Sequence, residues 1–235
     1  MYDTVLFDLD GTLSDPSIGI TNSVMHALKH WNIQVEDRSE LYKFIGPPLI
    51  ESFERFYGFS KEESWEAVEV YREYFSVKGL FENDMYEGIP ELLRELKARG
   101  KTIALATSKP ELYARQILEH FGIDGYFDFI GGASMDEIRV AKADVIRYAF
   151  ESMGMLAAGE TLLPDDVRAG TVMVGDRFHD IEGAKKNGLR SIGVLFGFGS
   201  REELEAAGAD HIAETVEDIL EIISGTTAEG TSCEA

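Results

Sequence analysis

Asp8 and Asp10 flank one residue at the end of the short apolar run Thr4-Val5-Leu6-Phe7, and Gly11-Thr12 follow them. Two carboxylates this close repel each other unless a proton or a cation intervenes, and their hard oxygens suit Mg²⁺. A second acidic pair stands in Gly175-Asp176-Arg177-Phe178-His179-Asp180, again after an apolar run. If Asp180 falls in the first turn of a helix, both of its pair's carboxylates can point back toward the strand ends. Either pair alone has a plainer reading, as a helix cap or a solvated turn. Two such pairs, each closing a buried strand, favour a shared site. Thr107-Ser108-Lys109 adds hydroxyls and backbone N–H groups just ahead of a helix, an arrangement that binds anions. Lys142 sits near the start of another helical pattern; beside an apolar face a lysine is ordinarily solvated, so this residue alone is ambiguous.

The elements that must position these groups are legible as alternating patterns. Apolar runs at 4–7, 102–106, 126–130, 171–174 and 191–195 predict strands buried on both faces. Between them lie helical patterns. Residues 91–99 follow Pro90 and stop at Gly100, and 112–121 follow Pro110 and stop at Gly122. Ile138, Ala141, Val145, Ala149 and Met153 step by three or four along a further helix. This alternation predicts an α/β fold, a Rossmann-like doubly wound parallel sheet with helices on both faces.

Residues 16–85 read differently. Ile20, Val24, Leu28 and Trp31 form one helical stripe, Leu49, Phe53 and Phe56 a second, and Trp65, Val68, Tyr71 and Phe75 a third. We expect an inserted helical domain over 16–85, a core formed by 1–15 and 86–224, and a disordered Gly-, Thr-, Ser- and Glu-rich tail at 225–235. The connection 155–168 has weak periodicity and is expected as a surface excursion. Trp31 and Trp65 are expected to pack the inserted domain, whereas Arg72, Lys78 and Asn83 are expected to be solvated.

Composition restricts the partners. The 235 residues carry 43 acidic and 22 basic side chains, a formal charge of −21, with 44% hydrophobic and 28% charged residues. These fractions belong to a globular chain. The acidic surplus argues against nucleic-acid polymers and anionic membranes, since no basic excess exists to displace counterions. A single cysteine, Cys233, excludes an intramolecular disulfide. No apolar stretch approaches a spanning helix, and the N-terminus lacks the basic region of a signal peptide, so a cytoplasmic location is expected.

The set Asp8-x-Asp10-Gly11-Thr12, Thr107-Ser108, Lys142 and Gly175-Asp176-x-x-x-Asp180 resembles the haloacid dehalogenase superfamily of phosphohydrolases, in order and spacing, over nearly the whole chain. The resemblance implies a Rossmann-like core with a C1-type helical cap. It implies Asp8 as nucleophile, forming an aspartyl-phosphate, and Asp10 as general acid and then base. Family dehalogenases lack a carboxylate at the second position, so Asp10 favours phosphate chemistry. Mg²⁺ would be held by Asp8, the Asp10 backbone carbonyl and Asp176, with Asp180 ligating or orienting nearby. Thr107, Ser108 and Lys142 would bind the phosphoryl oxygens.

The turn Gly46-Pro47-Pro48 lies in a segment that resembles the substrate-specificity loop of the phosphoglycolate phosphatase-like branch. Asp15-Pro16-Ser17-Ile18-Gly19-Ile20, Tyr86-Glu87-Gly88-Ile89 and Val172-Met173-Val174-Gly175-Asp176-Arg177 are similar to bacterial 5′-nucleotidases of that branch. The implied activity is hydrolysis of a small phosphorylated metabolite, with a nucleoside 5′-monophosphate preferred. A phosphoglycolate or other small-molecule phosphatase, a sugar-phosphate mutase and a non-enzymatic binding protein are the alternatives.

Overall fold

Why the chain folds as it does is clearest on its strands, where successive side chains go to opposite layers. In the computed structural model, which describes residues 1–136, 138–157, 160 and 162–225, β1 (Thr4–Phe7) is buried along its whole length. The short β2 (Ser14–Asp15) follows it, and the chain then turns helical through α1 (Ser17–His30), α2 (Leu49–Tyr57) and α3 (Lys61–Tyr74). It returns through β3 (Asp84–Met85), which pairs antiparallel with β2. From there strands and helices alternate: α4 (Ile89–Ala98), β4 (Thr102–Pro110), α5 (Glu111–Phe121), β5 (Phe129–Ala133), α6 (Lys142–Ser152), α7 (Asp165–Ala169) and β6 (Thr171–Gly175). The last part is α8 (Phe178–Lys186), β7 (Arg190–Val194), α9 (Arg201–Ala207), β8 (His211–Ala213) and α10 (Val216–Ser224).

The main sheet is parallel, in the order β5-β4-β1-β6-β7-β8. Val5, Phe7, Ile103, Leu105, Val172 and Val174 enter one apolar layer with α4, α5 and α10. Their neighbours Leu6, Ala104, Ala106 and Met173 enter the other with α6 and α8. Coverage on both faces is what makes these strands continuously apolar. Strand order steps from β1 out to β4 and β5, then returns to β6 on the other side of β1. The chain's direction of winding therefore reverses beside β1, and ligand crevices in such sheets open at the carboxyl ends of the strands there.

The helices between β2 and β3 bury their own stripes. Ile20, Val24 and Leu28 of α1, Phe53 of α2, and Val68 and Tyr71 of α3 join the first apolar layer. Ser60 caps α3 by a reciprocal box with Glu63: the Ser60 N–H donates to Glu63 Oε2 (2.8 Å) and the Glu63 N–H to Ser60 Oγ (3.2 Å).

Several expectations need correction. The strand expected at 126–130 runs Phe129–Ala133, because Asp124–Tyr126 form a 3₁₀ turn. The helix expected from Ile138 begins only at Lys142; Ala141 is extended, and Ile138 is 81% exposed. Trp65 lies at the surface at 36% exposure instead of packing inward. The connection 155–168 is a surface excursion only in part: Leu156 and Leu163 are buried against α6 and Met173, while Glu160 and Leu162 are exposed. Asn83 is buried, and the Arg72 side chain is only 14% exposed. Of the expected tail, residues 226–235, including Cys233, lie outside the described residues.

Candidate active site

The first carboxylates are presented by the turn that ends β1. The Asp8 N–H donates to Val174 O (2.9 Å), locking the end of β1 to β6. The Leu9 carbonyl then accepts from the N–H groups of Leu13 (2.8 Å) and Ser14 (3.1 Å), which coils the chain tightly. Gly11 makes this possible with φ +81°, and a methyl group there would collide with the Asp176 carboxylate. Asp176 follows the last residue of β6, and Asp180 sits in the first turn of α8, which meets the condition for a shared site. Its Oδ2 accepts the Arg177 N–H (3.1 Å).

These elements bring oxygens of Asp8, Asp176 and Asp180 within 4.8 Å of one another, all buried. Lys142, the first residue of α6, is buried among them. Its Nζ lies 2.8 Å from Asp8 Oδ1 and 2.8 Å from Asp180 Oδ1, and donates to Ala106 O at 3.0 Å. The two carboxylate contacts are close ion pairs without well-aligned hydrogen bonds, since those oxygens lack a partner of good geometry. Lys142 is thus far from the solvated state that a lone lysine suggests. Burial would lower its pKa, but the charges of Asp180 and Asp8 outweigh that and raise it.

One cation against three carboxylates leaves the cluster short of positive charge. Burial, then repulsion from Asp180 and Asp8, pushes the Asp176 carboxyl well above the usual carboxylate range. Asp176 Oδ2 accepts the Phe198 N–H (2.8 Å), while its Oδ1, also buried, has no hydrogen-bond partner among the described residues. Asp180 is raised by burial as well, partly opposed by Lys142. An oxygen-lined, charge-deficient site with an unpartnered carboxylate oxygen fits a hard divalent cation such as Mg²⁺.

Asp10 faces a different partner. Its Oδ2 accepts from Lys109 Nζ at 2.5 Å, and its buried Oδ1 has no hydrogen-bond partner among the described residues. Burial raises the Asp10 pKa, with Lys109 acting against it and Asp8 adding to it. Sequence reasoning placed Lys109 in the phosphate turn but assigned it no role. The turn itself belongs to the long strand β4, and Thr107 Oγ1 accepts the Lys109 N–H (3.2 Å).

Above these groups a cleft opens to solvent. Asp8, Asp10, Thr107, Ser108 and Lys109 form its floor, and Gly46, Pro47 and Pro48 one wall. Phe44, Tyr113 and Arg72 also line it, and Tyr71 and Phe75, which the sequence reading puts in a helical core stripe, complete its aromatic side. Their helical spacing suits a core stripe equally well, so no sequence signal distinguishes the two uses.

Among known proteins, residues 5–194 match the model of the family described as haloacid dehalogenase-like hydrolase. A 5′-nucleotidase from Pseudomonas aeruginosa is 45% identical over 94% of this chain and 96% of its own length. The crystal structure of a predicted phosphatase from Clostridium acetobutylicum superposes with a TM-score of 0.88 at 48% identity, covering 96% of this chain and 99% of that one. A tyrosine-protein kinase, PtkA, from Mycobacterium tuberculosis is 37% identical over 93% of this chain and 72% of its own length.

Proposed function

Because this chain belongs to the haloacid dehalogenase-like hydrolases and is a phosphoric monoester hydrolase, we propose that it hydrolyses nucleoside 5′-monophosphates through an aspartyl-phosphate on Asp8. The observation that carries the chemistry is the convergence of Asp8, Asp176, Asp180 and Lys142 at the ends of β1 and β6, beneath an open cleft. The substrate class is supported by the 45% identical 5′-nucleotidase and by the cleft's aromatic side, which suits a planar base.

In this reading residues 16–85 form a cap over a core of 1–15 and 86–224. Lys142 holds Asp8 by one oxygen and leaves the other for attack on phosphorus. As the Asp8 oxygen bonds to phosphorus, the ester P–O bond breaks and Asp10 gives its proton to the departing alkoxide. A water then attacks the phosphorus, Asp10 takes the water's proton, and the bond to Asp8 breaks to release phosphate. The raised pKa of Asp10 suits this alternation, since the acid step needs a carboxyl that holds a proton. Thr107, Ser108 and Lys142 bind the transferring phosphoryl oxygens. Asp8, the Asp10 carbonyl, Asp176 and Asp180 are the groups that would hold Mg²⁺, which supplies charge neutralisation of the phosphoryl group when bound.

The test is phosphate release with Mg²⁺ or with EDTA, from nucleoside monophosphates, phosphoglycolate, pyrophosphate and sugar phosphates. Nucleoside monophosphates should give the highest kcat/KM, and EDTA should abolish release. Asp8→Asn should reduce kcat by roughly 10⁴-fold or more, as loss of a nucleophile does. Phosphoglycolate turnover without nucleotide turnover would overturn the substrate class, and a fully active Asp8→Asn protein would overturn the mechanism.

A further inference from the structure

We infer that Arg177 is a positioning residue for substrate recognition, tying the turn at 45–48 to the carboxylate site. The inference rests on the proposed reading of that turn as part of the substrate cleft. Arg177 belongs to the loop between β6 and α8, directly after Asp176, yet its side chain leaves that loop for the segment before α2. Its Nη1 donates to the Ile45 carbonyl at 2.8 Å, a contact between residues 132 positions apart. Its Nε donates to Glu203 Oε1 at 2.8 Å. Glu203 also accepts the Phe178 N–H (3.0 Å), so one carboxylate orients the guanidinium and caps the start of α8. The Arg177 side chain is only 16% exposed, which makes these charge-assisted bonds worth more than surface ones.

The turn is shaped to receive this side chain. Gly46 adopts φ +101°, and a Cβ there would lie 3.3 Å from Arg177 Cγ, so glycine lets the loop settle on the arginine stem. A second contact runs parallel to the first: the Phe198 N–H donates to Asp176 Oδ2, while the Phe198 ring meets the Tyr42 ring at 6.0 Å. The turn that Arg177 holds is a ridge between two openings. On one side lies the aromatic cleft over Asp8 and Asp10; on the other lies a second cleft bordered by Lys142, His179 and Lys186. Losing the hold on Ile45 would loosen the wall that Gly46 and Pro48 give to both openings and that, in the proposed reading, faces the leaving group. Because the Arg177 backbone N–H also fixes Asp180, the residue that anchors the wall is part of the loop that shapes the charge cluster.

The experiment combines amide hydrogen exchange over residues 44–52 with steady-state kinetics on Arg177→Met, Arg177→Lys and Glu203→Gln proteins. A charge-assisted hydrogen bond removed from a half-buried contact corresponds to roughly a 10-fold or larger change in local opening. Arg177→Met should accelerate exchange in 44–52 by about that factor, leave exchange in β1 and β6 unchanged, and raise KM for a nucleoside monophosphate more than it lowers kcat. Arg177→Lys should recover only part of the loss, since a single ammonium nitrogen cannot reproduce the fixed fork by which Nε and Nη1 reach Glu203 and Ile45. If Arg177→Met fails to fold, Glu203→Gln carries the test, with a smaller acceleration expected in the same segment. Unchanged exchange in 44–52 would overturn the inference, as would a fall in kcat with KM unaltered. If exchange accelerates but no nucleotide is turned over by the wild-type protein, the tie stands and the substrate reading falls.

Discussion

Lys109 Nζ lies 2.5 Å from Asp10 Oδ2, with both side chains buried and the ammonium 4.9 Å from the centre of the Phe75 ring. The pair joins the end of β4 to the turn after β1 and touches the helical segment above. Removing one partner of such a pair leaves an uncompensated buried charge, which costs about 3–5 kcal/mol. With Oδ2 held by Lys109, Asp10 Oδ1 is the oxygen that the proposed mechanism assigns to the leaving group.

Lys109→Met should therefore lower the melting temperature and change activity in a way that depends on the leaving group. With a nucleoside monophosphate, whose alkoxide needs a proton, kcat should fall by as much as ~10²–10⁴, the usual value of acid–base assistance. With p-nitrophenyl phosphate, whose leaving group needs none, the fall should be much smaller. Asp10→Asn should show the same pattern, and equal losses on both substrates would contradict it.

Asp176→Asn should stabilise the protein in EDTA while abolishing its response to Mg²⁺. The charged Asp176 is disfavoured by burial, Asp180 and Asp8, so a neutral amide relieves repulsion there. A cation that binds only the folded state adds about 2.7 kcal/mol at a hundred times its Kd. Thermal scans of both proteins, with and without Mg²⁺, should show a large upward shift for the wild type alone.

Asp210 offers a pH prediction outside the cleft. Burial raises its pKa, but hydrogen bonds from Arg190 Nη1 (2.6 Å) and the Ser191 N–H (3.0 Å) outweigh this, and the net direction is downward. A lowered carboxylate pKa contributes stability above its unfolded value and loses it as pH falls through the folded one. Asp210→Asn should cost about 0.5–1.5 kcal/mol near neutral pH. The difference from wild type should shrink below about pH 4, as urea titrations across that range would reveal.

The formal charge of −21 means that a phosphate dianion approaches against an unfavourable field. Raising ionic strength with an inert salt should modestly raise kcat/KM by screening that field. A clear fall would show that local attraction at Lys109 and Lys142 outweighs the surface charge.

Much of the fold was legible because it depends on local pattern. Apolar runs ended by Asp-x-Asp-Gly and Gly-Asp marked strand ends, and the spacing from Asp176 to Asp180 was compatible with the second carboxylate lying in the first turn of a helix, where α8 has it. Where local signals conflicted, reading failed. Ile138 continues the helical spacing of α6 but lies in the loop before it, and Trp65 continues a stripe whose end is at the surface. Leu156 and Leu163 have no periodicity, yet the sheet needed them to close its second layer.

The sequence alone determined the order of the elements and which residues carry charge at their ends, because backbone preference and apolar period act over a few residues. Only the tertiary structure decided which of those charges meet. Lys142 joins Asp8 and Asp180, Lys109 takes Asp10 from 99 positions away, and Arg177 leaves the acidic cluster for Ile45. The physical reason is that ion pairing depends on distance and burial, not on sequence separation, and both are set by how β1, β4 and β6 lie side by side.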